Sequence, residues 1–165
     1  MSTALGRKAE MFVEQWFEMQ GWQCFERNLR VPGGEIDRLF VRERGVSGLR
    51  VDLCVAEVKA TRLKRETQLN QLFSAARIRS LVKPNQLRTV WRSAAVYEGK
   101  LRSATRNPVR TFVRYFMVVF ASRSHLLKLR CAIRKSGVDT SLRCCFASSE
   151  YMILSWSPEV LATSF

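Results

Sequence analysis

The chain predicts an α/β domain, and three observations carry that prediction. An amphipathic helical pattern opens the sequence, three β-patterned runs follow it, and a second helical pattern then leads into a long apolar strand. Of the 165 residues, 47% are hydrophobic and 10% aromatic, which supports one packed core and excludes a disordered chain. We read residues 1–121 as the core domain and 122–165 as an extension packed on it or trailing from it.

Ala4 to Gln20 is the first helix. Leu5, Ala9, Phe12, Val13, Trp16 and Phe17 recur at helical spacing, Ser2 or Thr3 can cap the start, and Gly21 stops the end. Glu10 falls on the flank of that stripe, while Glu14 and Glu18 rotate outward. Trp22 to Arg27 reads as a strand, and Asn28 to Gly34 as a turn. Glu35 to Glu43 alternates, with Asp37, Leu39 and Val41 on one face and Ile36, Arg38 and Phe40 on the other. Leu49 to Lys59 follows with Val51, Leu53, Val55, Glu57 and Lys59 on one face. A hairpin centred near Val46 or Ser47 sets residue 37 opposite 55 to 57, with a one-residue bulge to absorb the mismatch.

Thr61 to Val82 is polar and basic with weak periodicity. Lys83-Pro84 opens a second helix, since proline suits a first helical turn. Leu87, Val90, Trp91, Ala94 and Val96-Tyr97 supply its apolar side, and it ends near Gly99. Arg110 to Ala121 reads as a buried strand. Ser124 to Arg134 suits a short amphipathic helix, Arg143 to Trp156 one or two strands, and Pro158 to Phe165 a tail.

Charge points to the partner. The chain has 28 basic residues against 14 acidic ones, a net charge of +14, and 21 of the 28 are arginine. Arginine makes bidentate phosphate contacts, so the skew favours nucleic acid, without telling DNA from RNA. Arg62-Leu-Lys-Arg65, Arg77, Arg79, Lys83, Arg88 and Arg92 form a candidate phosphate track. No apolar run reaches the ~20 residues a spanning helix needs, and no secretory signal is visible. Five cysteines, odd in number and without CxxC spacing, fit a reduced cytoplasmic chain rather than a disulfide or zinc framework. His125 has no evident acid or serine partner and reads as a surface residue. Trp22, Trp91 and Trp156 are expected in the core rather than as stacking platforms.

The chemistry rests on Gly34-Glu35-Ile36-Asp37 and Glu57-Val58-Lys59. Asp37 and Glu57 are acids inside apolar strand patterns, where an unpaired buried carboxylate costs several kcal/mol. Lys59 shares the face of Glu57 two residues on. Two carboxylates suit Mg²⁺ or Mn²⁺, the lysine suits a phosphate oxygen, and Glu10 can add a ligand or position a water. The same residues also suit exposed strand positions, with Asp37 paired to Arg38 or Arg30. Spacing alone leaves both readings open.

Gly6-Arg7-x-Ala9-Glu10, Asn28-x-Arg30, Gly34-Glu35-Ile36-Asp37, Glu57-Val58-Lys59 and Lys83 opening a helix resemble, as an ordered series, the YraN-like family of endonuclease-like proteins. That family is similar in fold to the PD-(D/E)XK nucleases, which include restriction enzymes and junction resolvases. The resemblance covers about Leu5 to Phe120. It implies a restriction-endonuclease-like core, helix-strand-strand-strand-helix-strand, and a metal-dependent nuclease acting on DNA, including branched or junction DNA. By it, Glu10, Asp37, Glu57 and Lys59 are catalytic. Asp37, Glu57 and the carbonyl of Val58 hold Mg²⁺ or Mn²⁺, and Arg7, Arg30, Arg62, Lys83 and Arg88 meet the nucleic acid. Resolvase relatives act as dimers, which leaves a homodimer as a possible assembly. Arg38 after the Asp, and Arg114-Tyr115-Phe116 in place of Arg-Phe-Asp, depart from the family pattern. A module on the same fold that binds without cutting, in recombination, repair or RNA-associated complexes, is the alternative.

Overall fold

The computed structural model describes residues 3–45, 50–65, 84–135 and 143–156. The elements run α1 (Ala4–Glu18), β1 (Gln23–Val31), β2 (Gly34–Arg44), β3 (Arg50–Arg62), α2 (Pro84–Thr105), β4 (Val109–Phe120), α3 (Arg123–Lys135), β5 (Arg143–Ala147) and β6 (Tyr151–Trp156). Among the described residues they form a mixed six-stranded sheet, ordered β1-β2-β3-β4-β6-β5 and flanked by three helices, consistent with a restriction-endonuclease-like core. The pairs β1–β2, β2–β3, β4–β6 and β5–β6 are antiparallel. The N–H of Val51 donates to the carbonyl of Pro108, and that of Leu63 to the carbonyl of Phe120. The same offset at both ends makes β3 and β4 parallel. No helix among the described residues is long and apolar enough to cross a membrane. The chain divides into two compact units, Glu14–Glu57 with Pro84–Arg114, and Met1–Val13 with Val58–Lys83 and Tyr115–Phe165.

In the first of these units, α1 ends on a backbone motif that the sequence spells out. Gly21 adopts φ +76°, the N–H of Trp22 donates to the Phe17 carbonyl, and that of Gly21 to the Glu18 carbonyl. This is a Schellman ending, and its usual hydrophobic contact is present as Phe17 edge-on to Trp22 at 5.4 Å. Phe17 also stacks on Phe40 at 4.0 Å, so α1 covers the Phe40 face of β2. Residues 28–31 belong to β1 rather than to a loop, because Pro32-Gly33 alone reverses the chain. Proline followed by Gly33 at φ +92° is the pattern a type II turn requires. A bulge does occur, but between β1 and β2 at Cys24/Glu26, whereas β2 and β3 pair without a shift.

The second helix corrects the sequence reading twice. It runs through Gly99 to Thr105, since one glycine costs only ~1 kcal/mol against alanine and does not end a long helix. Its buried side is Thr89, Val90, Ser93 and Ala94, while Trp91 and Val96 are 42% and 56% exposed. Trp91 is therefore not a core residue. Trp22 is buried as expected, with the Arg42 guanidinium 4.2 Å over its ring.

In the other unit, Phe12 stacks on Tyr151 at 4.0 Å and meets Phe120 at 6.0 Å, with the Lys8 ammonium over both Phe12 and Phe120. Leu126 and Leu129 are the buried side of α3, and Ser148 closes the β5–β6 turn by donating to the Tyr151 carbonyl. The serine that His125 lacked in the sequence reading is Ser122, whose Oγ lies 2.9 Å from Nδ1 at the start of α3. This is a helix-end contact rather than a catalytic arrangement.

Glu14 is a paired acid rather than an outward one. Arg27 donates to it, as does Arg38, itself only 7% exposed, at 3.0 Å. Burial pushes the Glu14 carboxyl up, but the hydrogen bonds and charges of Arg27 and Arg38 outweigh it and hold the group below its ordinary 4.5. The stabilisation is thus present above pH 4.5 and is lost as pH falls through the lowered native value. Glu14→Gln is expected to destabilise by about 2 kcal/mol at pH 7, with the difference from wild type vanishing in acid. Urea melts at pH 7 and pH 3 check this.

Candidate active site

The paired residues of β2 and β3 sum to a constant from Arg38↔Ala56 to Arg44↔Arg50. Continued by one residue, that register sets Asp37 opposite Glu57. Side chains directly opposite in an antiparallel pair share a face with Cβ atoms ~4.5–5.5 Å apart. That extended register would put Asp37 on the same face as Glu57, while the Arg38 side chain binds Glu14 of α1. Arg38 also donates to the backbone carbonyl of Asp37, at 2.6 Å. Asp37 is half-buried, and Glu57 is 1% exposed.

α2 supplies what sits over this pair. The side-chain amide of Gln86 donates to Glu57 Oε1. One turn on, the Thr89 hydroxyl lies 3.2 Å from the Gly33 carbonyl and 3.0 Å from that of Asn85. A Cβ on Gly33 would come within 3.0 Å of that hydroxyl, so the glycine allows both the turn and the close approach of the helix. Gln86 was missed by the sequence reading. Its signal was a polar stripe, Gln86, Thr89 and Ser93, at helical spacing on the side of α2 that packs on the sheet.

The donors suit a hard divalent cation, because two carboxylates on one face offer only oxygen. Among the described residues, no group of three or more His, Cys, Asp or Glu is close enough together to hold a metal ion. The fit therefore rests on the cross-strand pair. Val58 is next along β3 and buried, its side chain on the opposite face from Glu57, and Lys59 returns to the Glu57 face half-buried. Glu10 lies on α1 in the other unit and is 5% exposed.

Of the basic residues singled out, Arg7, Arg30, Arg62 and Arg88 are exposed. Lys83, Arg77, Arg79 and the tail lie outside the described residues. None of the five cysteines is in a disulfide. Burial pushes the Cys54 thiol up to about 12, and burial with the Glu14 charge pushes Cys24 up to about 11, so neither supplies a thiolate near neutral pH.

The pattern described as Uncharacterised protein family UPF0102 matches residues 9–120, more than half of the chain. A UPF0102 protein of Sphingopyxis alaskensis is 40% identical over 48 residues, 29% of this chain. The matched stretch is 41% of that protein's own length, well under two thirds of it.

The Gln86–Glu57 bond predicts a cost when broken. Gln86→Ala strips a hydrogen bond from a carboxylate that water barely reaches, a loss of ~1–3 kcal/mol. A double-mutant cycle with Glu57→Gln, read by urea unfolding, is expected to give a coupling of about 1 kcal/mol or more. Strict additivity would mean the two side chains do not interact.

Proposed function

This chain belongs to the uncharacterised protein family UPF0102, and on that premise we propose that it is a metal-dependent nuclease that hydrolyses phosphodiester bonds in DNA. The observation that carries the reading is the β2–β3 register, which, continued one pair beyond Arg38↔Ala56, would set Asp37 across from Glu57 on one sheet face. The chain's +14 charge supports a polyanionic substrate.

Asp37 and Glu57 would hold Mg²⁺ or Mn²⁺ by their carboxylate oxygens, and Gln86 would fix which way Glu57 points. When bound, such a cation neutralises phosphate charge and makes water more acidic. Lys59, on the Glu57 face, would donate to a non-bridging phosphate oxygen as charge develops there. The water oxygen attacks phosphorus, the bond to one ester oxygen breaks, and that oxygen leaves with a proton. Exposed Arg88 on α2 and Arg30 on β1 would hold flanking phosphates.

The test is cleavage of single-stranded, duplex and four-way-junction DNA with Mg²⁺ or Mn²⁺. Asp37→Ala and Glu57→Ala are expected to abolish it. Lys59→Ala should lose ~10²–10³ in rate while DNA affinity stays within about tenfold. If the wild type cuts none of them and Lys59→Ala loses affinity sharply, the chain is a binding module with Lys59 as phosphate anchor.

A further inference from the structure

The outer face of α2 is built unlike an ordinary solvated helix surface. At ~100° per residue, Trp91, Ala95, Arg88, Gly99, Arg92 and Val96 fall within about 140° of one another. All six are exposed, and Trp91 keeps 42% of its surface in water. A tryptophan so exposed is uncommon, because its large apolar ring gains most from burial.

The neighbours of the ring are as informative. Ala95, one turn on, is too small to cover the indole. Gly99, another turn on, meets nothing within 4 Å where a Cβ would be, so no packing among the described residues calls for a glycine there. Small residues along the ring's own stripe leave room for a flat ligand. Arg88 and Arg92 flank the stripe, and neither has an ion pair or hydrogen bond among the described residues. The one acid on the helix, Glu98, is engaged by Arg102 at 2.6 Å and by the Thr111 hydroxyl at 2.7 Å. The first half of α2 is therefore uniformly positive around an open aromatic face.

We propose that Trp91 is a stacking platform for an unpaired nucleotide base, with Arg88 and Arg92 on the adjoining phosphates. Charge complementarity selects a polyanion. The flat ring selects a base whose face is open, which a duplex interior does not offer, so the occupant is single-stranded nucleic acid or an unpaired segment of a branched one. The same helix carries Gln86, the hydrogen-bond partner of Glu57, on its buried side. A strand held on the outer face thus lies on the element that also buttresses the carboxylate pair. This deepens the nuclease reading and rests on it for the substrate class, but it concerns binding and not cleavage.

The experiment reads binding with EDTA present, so it fails or succeeds apart from the nuclease reading. Fluorescence anisotropy compares an oligothymidine with a fully paired duplex of equal length. Trp91→Ala, at an exposed position, is expected to weaken single-strand binding ~5- to 150-fold and duplex binding less than twofold. Trp91→Phe should keep single-strand affinity within about threefold, because a phenyl ring still stacks. Equal losses on both oligonucleotides, or none on either, would overturn the proposal. So would a change of oligomeric state in Trp91→Ala without a change in oligonucleotide affinity, since the face would then be a protein contact.

Discussion

Everything at the candidate site depends on the register of β2 against β3. A strand's side chains alternate between faces, so a slip of one residue would turn Asp37 toward α1 and leave Glu57 facing a different partner. One device fixes which face of β2 meets α1, and another ties β2 directly to β3. On the α1 face, Phe17 stacks on Phe40, and Glu14 holds Arg38 at 3.0 Å. At the far end of the hairpin, Asp52 is 3% exposed and accepts from Arg42 at 3.2 Å and Arg44 at 2.9 Å. Ion pairs placed this way specify an alignment more than they add stability, because desolvating the charges offsets much of the attraction. Breaking one would still be costly, since its partner would stay buried.

That rule also frames Glu57. The unit holding it keeps Glu14, Arg38 and Asp52 as little-exposed charges, each with a partner of opposite sign. Glu57, 1% exposed, accepts a hydrogen bond from the side-chain amide of Gln86. The sheet-facing side of α2 thus mixes Val90 and Ala94 with the polar Gln86, Thr89 and Ser93, two of which bond to β3 and to the Gly33 turn.

Most of the fold was legible because its signals are local and periodic. The stripe of α1, the alternation of β2 and β3, and the apolar run of β4 each name an element without tertiary information. The hairpin length alone placed residue 37 opposite 55 to 57, and the register narrows that to Glu57. The turn before β2 was drawn too long because Asn28 and Arg30 look like loop residues. Asn28 tolerates φ 50° within β1, so the strand continues to Val31. On α2 the apolar residues misled. Trp91 and Val96 lie off the arc of Val90, Ala94 and Tyr97, and the polar stripe of half-buried Gln86 with buried Thr89 and Ser93 makes sense only once Glu57 and the Gly33 turn are beneath it. A site buried under polar helix residues is hidden from any reading that equates burial with apolarity.

The central claim, that Asp37 and Glu57 form a seat for a divalent cation, is tested most directly by paramagnetic broadening. Small additions of Mn²⁺ to ¹⁵N-labelled protein quench amide signals near a bound ion, independently of any catalysis. The account predicts that amides of residues 36–38 and 56–58 vanish first, and that Asp37→Asn with Glu57→Gln removes the effect. Broadening centred on other carboxylates, such as Glu43 or Glu150, or unchanged in the double variant, would contradict it.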